Sequence, residues 1–349
     1  FSCALKLAMP IAVLSAMRES AQFHISVKGG RFLENMAKAD TIVFDKTGTL
    51  TYATPTVAQI VPFGGRSAPE MLRLAACLEE HYPHSIANAV VAEAKKRGLD
   101  HQEYHSQVQY IVAHGISSMV DGHKVIIGSA HFVFEDEHCV VPEEEQDRFD
   151  ALDPSYSHLY LCIGGSLAAV LCISDPLRAE APEAIKALHD CGITNVVMMT
   201  GDNHRTAQAV AKAVGVDEVH AEVLPEDKAN FIRQAREQGH VVIMVGDGVN
   251  DSPALSEADV GIAISTGAAI AQEIADITVS SEDLMALITL RKLSCALMDR
   301  IHDNYRFIIG FNCGLIGLGL AGILPPTTSA LLHNTSTLAI SMKSMTNLL

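Results

Sequence analysis

No basic run of five or more residues occurs in this chain, and none of its eight cysteines forms a CxxC pair. The first absence argues against nucleic acid as a partner, because neutralising phosphates needs clustered Lys and Arg. The second, with the cysteines scattered and no short secreted frame, excludes a disulfide scaffold and points to a reducing compartment. Charge is sparse: 19% of residues, with 41 acidic against 25 basic and a formal net charge of −16. At 48% hydrophobic the chain is neither disordered nor collagen-like, and 349 residues suffice for two or three domains. The start lacks the basic region and small-residue cleavage site of a signal peptide. Opening on Phe1 within an apolar stretch, it reads as a fragment cut from a longer protein. There is no internal repeat.

Residues 1–17 are apolar except for Ser2, Lys6 and Ser15, which reads as a truncated membrane span or as a buried helix of a soluble domain. Residues 307–324 carry no charge, a break follows at Pro325-Pro326-Thr327-Thr328, and 329–349 are again mostly apolar. The pattern predicts a transmembrane hairpin, with Arg300, His302 and Arg306 on its cytoplasmic side. Between the ends, short β-rich runs such as 41–44 and 241–245 alternate with helical patterns at 181–189, 205–214 and 227–238, which predicts buried parallel strands with crossover helices. From about 53 to 171 the pattern changes to two helices (71–80, 87–96) and short strands near 108–111, 117–120, 125–127, 160–163 and 167–171, an inserted α+β domain. The acidic stretch 135–153 reads as a solvated loop.

The run Asp45-Lys46-Thr47-Gly48-Thr49-Leu50-Thr51 follows the strand 41–44 directly. A carboxylate at the carboxyl end of a parallel strand, followed by a Gly and hydroxyl loop able to cradle phosphate, is where a doubly wound sheet holds its ligand. Asp45 is a candidate nucleophile for phosphoryl transfer. Two positions on stands Thr47 and not a second acid, so an aspartyl phosphate formed here should hydrolyse slowly.

The heptad resembles the phosphorylation motif of P-type ATPases, cation pumps of the haloacid-dehalogenase fold. Further pieces stand in that family's order: Asp175-Pro176-Leu177-Arg178, Thr200-Gly201-Asp202-Asn203, Pro225-Glu226-Asp227-Lys228, and the run from Gly246-Asp247-Gly248-Val249-Asn250 to Leu255. The resemblance implies a doubly wound parallel sheet with an inserted nucleotide-binding domain and transmembrane helices at both ends. The domains expected are a truncated span (1–17), a split phosphorylation domain (18–51 and 172–288), the nucleotide-binding domain (52–171), a linker helix (289–304) and two spans (305–349). Catalytic roles fall on Asp45, Lys46, Thr47, Thr200, Asp202, Lys228 and Asn250. Asp45, Thr47 and Asp247 would hold Mg2+, two carboxylates and phosphate oxygens making a hard octahedral site; taken alone, Asp247 is equally a turn residue in a Gly-Asp-Gly loop. Lys228 would offer a charge to the phosphoryl group, and Thr200 and Asp202 would contact phosphate and magnesium.

In the inserted domain the resemblance is to the heavy-metal-transporting subgroup, whose His-Pro pair faces adenine. The counterpart here is His84-Ser85, with Ser in place of Pro, and the glycine turns for ATP are Ala113-His114-Gly115, with Ala where Gly is usual, and Gly128-Ser129, alongside Gly201 in the phosphorylation domain. Taken alone, His84 is an ordinary surface histidine. For the transported ion, Cys3 stands where the subgroup carries a Cys motif beside a Pro, and Pro10 further along is placed to unwind its helix. His333 resembles the ligand histidine of some divalent-metal pumps, or lies at the membrane surface after the hairpin turn. Asn312 and Cys313 line the path or pack against a neighbouring helix. One thiolate, one imidazole and oxygen donors suit Zn2+, Cd2+, Co2+, Mn2+ or Fe2+ better than Cu+.

The function implied is ATP-driven export of a divalent transition metal from the cytoplasm, across the plasma membrane, with the catalytic domains cytoplasmic. The family's actuator domain and remaining spans lie outside this chain, and no Thr-Gly-Glu stretch, the actuator's signature, occurs in it. Rival readings are a Cu+ pump of the same family, a soluble phosphatase of the same fold, and a metal-buffering membrane protein with a dead ATPase fold.

Overall fold

The computed structural model describes residues 2–52, 54–80, 85–99, 109–111, 115–247, 251–264, 273–280 and 283–349. The chain divides into two compact units: Phe1–Ile42, Lys186–Thr194 and Ile232–Leu349 in one, Val43–Ile185 and Asn195–Phe231 in the other. Elements are numbered along the chain. A seven-stranded sheet runs in the order β1 (Ile25–Val27), β13 (Ile277–Val279), β12 (Val260–Ile264), β11 (Val242–Gly246), β2 (Thr41–Asp45), β9 (Asn195–Met199), β10 (Glu218–His220). Pairings β11 to β12, β12 to β13 and β9 to β10 are parallel, and the edge strand β1 is antiparallel. Strands β2, β11 and β12 are buried at every position, as expected where helices cover both faces of a parallel sheet. The expected doubly wound α/β architecture is therefore present.

In the second unit an inserted lobe carries a six-stranded antiparallel sheet, in the order β3 (Thr56–Pro62), β8 (Ser166–Ser174), β7 (Ser157–Ile163), β6 (His123–Gly128), β5 (Gly115–Val120), β4 (Gln109–Ile111). Alternation along the strands divides its side chains between two cores. Leu159 and Leu161 of β7, with Leu171 and Ile173 of β8, pack under α3 (Ala68–Glu79) and α4 (Ser85–Lys96). Their neighbours Tyr160, Cys162, Val170 and Cys172 face the other way, onto Phe63, Phe132 and Leu152. The acidic stretch 135–153, expected as a loop, supplies part of this second cover: it holds a 3-10 turn (Glu143–Glu145) and α5 (Gln146–Asp150), and a π-type turn (His131–Asp136) leads into it. Phe132 and Val133, with a T-shaped contact between Phe134 and Tyr160, anchor it.

Crossover helices α6 (Ala181–Asp190), α7 (His204–Val214) and α8 (Pro225–Glu237) match the sequence patterns to within two residues. Helix α7 is capped at both ends, Asn203 accepting from the Thr206 N–H and Gly215 taking φ +82°. A short α9 (Ser252–Glu257) follows β11.

The first unit also contains α1 (Ser2–Gln22), α2 (Gly30–Lys38), α10 (Met285–Leu320) and α11 (Pro326–Ser344). Among the described residues, no helix is long and apolar enough to cross a membrane. Residues 307–320 of the uncharged run lie in one helix, α10, which ends at Leu320 and reaches back through Arg306, Asp303 and Arg300, so polar residues of the expected linker share it. Polar side chains likewise interrupt α11. Pro10 lies inside α1 without ending it. Ala4 and Ala8 pack with Ile308 and Ile340, while Leu14, Leu320, Leu331, Leu338 and Met342 are exposed.

Candidate active site

At the end of β2 the chain turns through Lys46–Leu50 in a tight π-type turn, with Gly48 at φ +74° and Thr47 extended. The positive φ explains glycine there. Thr51 closes the turn: its hydroxyl accepts from the Gly48 N–H at 2.9 Å and donates to Asp175 Oδ2 at 2.6 Å. Arg178 donates to the Thr51 carbonyl from Nε and to the Leu50 carbonyl from its backbone N–H, and its guanidinium lies over the Tyr52 ring. The loop between Asp45 and Thr51 is thus fixed by the segment 175–178. Burial raises the pKa of Asp175 above the ordinary carboxylate value, against the lowering pull of the Thr51 hydroxyl and the Lys46 charge.

Two buried ion pairs lie on this loop. Lys228 Nζ stands 2.5 Å from Asp45 Oδ1. Lys46 Nζ stands 2.5 Å from Asp202 Oδ2 and donates to Ser157 Oγ at 2.8 Å. Burial alone would lower the Lys46 pKa; the carboxylates of Asp202, Asp175 and Asp45 outweigh it, and the value is raised. Thr200, buried at the end of β9, accepts from the Asp202 N–H through its hydroxyl at 3.1 Å, which leaves its own O–H free to point at a ligand. The structure therefore brings together Asp45, Lys46, Thr47, Thr200, Gly201, Asp202 and Lys228. A cavity of about 300 Å³ opens beside them, lined among others by Lys46, Thr51, Ser157, Asp175 and Thr206. Asp175, Arg178 and Ser157 had no role in the sequence reading; the first two stand in a recognised motif, whereas Ser157 sits in no motif at all.

The other expected residues are placed as follows. Asp247 follows β11 in the first unit and is half-buried. Asn250 and His84 lie outside the described residues, as does the side chain of Cys3. Gly115 and Gly128 face each other across β5 and β6. A Cβ on Gly115 would come within 2.4 Å of the Ile127 carbonyl oxygen and 2.5 Å of the Phe132 ring, so glycine is required there by packing. In the first unit, half-buried His333 on α11 pairs through Nδ1 with Asn312 Oδ1 on α10 at 2.7 Å, and the Asn312 amide donates to the Ile308 carbonyl. Since Asn312 Oδ1 is the acceptor, Nδ1–H donates to it, and this contact does not engage Nε2. Cys313 is exposed. Among the described residues, no group of three or more His, Cys, Asp or Glu side chains is arranged to hold a metal.

A family model described as a haloacid dehalogenase-like hydrolase matches residues 39–259. The chain is 37% identical over 341 residues to a zinc-exporting P-type ATPase of Mycobacterium marinum (strain ATCC BAA-535 / M), covering 97% of this chain and 46% of that one. It is 40% identical over 333 residues to the copper-transporting ATPase 1 of Rhizobium meliloti (strain 1021), covering 95% and 40%. The crystal structure of a zinc-transporting PIB-type ATPase in the E2.Pi state superposes with a TM-score of 0.69 at 30% identity, covering 98% of this chain and 55% of that one. The chain spans about half or less of the length of the curated relatives it matches.

Proposed function

The chain belongs to the haloacid dehalogenase-like hydrolases and, within them, to the heavy-metal P-type ATPases, and we propose that it is the catalytic part of an ATP-driven exporter of a divalent transition metal. The pairing of Lys228 with Asp45 carries the reading. A buried carboxylate oriented by the Lys228 ammonium is the nucleophile for in-line attack on the γ-phosphorus of ATP. The oxygen–phosphorus bond forms as the bond to the bridging oxygen breaks, and ADP leaves with that oxygen. The Lys228 ammonium and the Thr200 hydroxyl then lie near the developing charge. Asp45 and Asp247 are hard oxygen donors of the kind Mg2+ takes, and the ion would neutralise phosphate charge. No acid stands at position 47 to activate water, so the acyl phosphate persists long enough to drive a change in the longer protein.

ATP would seat in the inserted lobe at Gly115, Gly128 and His84. For the cargo, His333 is the leading ligand of this chain together with Cys3: the Asn312 contact frees Nε2 for a metal, as an outer carbonyl does for ligating histidines elsewhere. The whole protein would act in the plasma membrane with these catalytic units cytoplasmic, and the missing actuator would hydrolyse the phosphoenzyme. The copper-transporting relative supports a second reading, Cu+ as cargo, because its identity is as high as that of the zinc exporter. Acid-stable label from γ-labelled ATP, absent in Asp45→Asn, tests the chemistry. Metal-stimulated ATP hydrolysis by the intact transporter, compared across Zn2+, Mn2+, Co2+, Cd2+, Fe2+ and Cu+, tests the cargo.

A further inference from the structure

We infer that Ser157, the first residue of β7 in the inserted lobe, is a positioning residue for phosphoryl transfer, acting through the Lys46 ammonium. Lys46 is only 4% exposed, and a buried ammonium has three N–H donors that need acceptors. Asp202 supplies a carboxylate at ion-pair distance, 2.5 Å, and the Ser157 hydroxyl accepts a hydrogen bond at 2.8 Å. A single carboxylate leaves the ammonium free to swing about the contact; a second acceptor from a different element fixes its direction.

The two acceptors are themselves held to each other. Helix α7 begins at His204, just beyond Asp202, and grips the segment that delivers Ser157. Arg205 Nη1 donates to the Asp150 carbonyl at 2.8 Å and the Thr206 hydroxyl to the Tyr156 carbonyl at 3.0 Å. The Ser155 N–H and His158 ring close the same segment onto Asp153. Ser157 then pairs with Ile173 near the end of β8, two residues before Asp175. Lys46 is thereby oriented by the inserted lobe as well as by the loop it belongs to.

The inference rests on Asp45 as the phosphorylation site, and one experiment separates the two. Phosphoenzyme formation from γ-labelled ATP is followed in the intact transporter as wild type, Ser157→Ala, Ser157→Cys and Ser157→Thr, with folding checked by circular dichroism and thermal melting. Losing a hydrogen bond to a charged group predicts a maximal rate about tenfold lower in Ser157→Ala, at an unchanged ATP concentration for half-maximal rate. Ser157→Thr restores the rate, and Ser157→Cys, a weaker acceptor of similar shape, falls between. Wild-type rates in the folded Ala variant, or a shifted ATP requirement with an unshifted maximum, overturn the role of Ser157. If Ser157→Ala does not fold, equal rates for the Cys variant and the wild type do the same. Absence of label in the wild type defeats the Asp45 reading instead.

Discussion

Lys228 Nζ and Asp45 Oδ1, 183 positions apart in the chain, lie 2.5 Å from each other with both side chains buried. The pair joins the start of α8 to the end of β2, so the charge opposite the nucleophile is set by the fold and not by a mobile surface lysine.

Lys228→Ala should therefore cut phosphoenzyme yield by about 100-fold, the scale seen when a preorganised charge or donor is removed from a transition state. Quantifying acid-stable label at saturating ATP is the check. Unchanged yield in a folded variant removes Lys228 from the transfer step.

Asp202→Asn takes away the strongest electrostatic support of Lys46, so burial then dominates and pushes the ammonium pKa down. In the wild type the folded pKa is raised above 10.5; the stabilisation is complete below that pH and is lost as pH climbs through the folded value. The variant should be about 3 kcal/mol less stable at neutral pH, with the deficit shrinking above the ordinary lysine value. Urea unfolding at neutral pH and in strongly alkaline buffer measures it; a pH-independent deficit contradicts the assignment.

Gly115→Ala forces a methyl group against the Ile127 carbonyl and the Phe132 ring. Overpacking of this kind costs about 1–3 kcal/mol, read as a lower urea midpoint. If the same glycine seats nucleotide, ATP affinity drops beyond what the stability loss explains, as isothermal titration of the still folded variant would report.

Arg291 donates to the Met36 carbonyl and, at 3.2 Å, to the Cys191 carbonyl, tying α10 to the C-terminal part of α2 and to the residue that follows α6. Arg291→Ala orphans two acceptors and should destabilise by about 3 kcal/mol. Arg291→Lys, a point charge without the guanidinium fork, should recover less than half. Chemical denaturation of the three proteins decides; a lysine variant as stable as the wild type shows that charge alone suffices.

What the sequence made visible follows from how local each signal is. The β2 run ending in Asp45 and the helices α7 and α8 are written in short-range apolar patterns, and the structure places them within a residue or two. Strands β1, β10 and β13, of three residues each, carry too few side chains to show a period. The turn at 131–136 escapes notice because its buried Phe132 and Val133 are only two residues, followed at once by the acidic stretch from Glu135. Asp45, Lys46, Thr200, Asp202 and Lys228 were legible through motifs. Ser157 was not, since a serine at a strand start is ordinary until Lys46 is seen beside it. The apolar run 307–324 does not mark its helix boundary: hydropathy does not reveal that the helix stops at Leu320.

Thr51 and Asp175 touch across 124 intervening positions, and Thr56 pairs with Ser174 just inside them. The inserted lobe thus leaves and re-enters its host through a doorway one hydrogen bond wide. Because closing a longer loop between fixed feet adds little entropy, the size of what hangs from that doorway is almost free to vary. The lobe is exchangeable only in part: a short turn spliced between the two feet would keep Thr51 tied to Asp175 yet leave Lys46 without Ser157, and a foreign domain grafted there would have to bring an acceptor of its own.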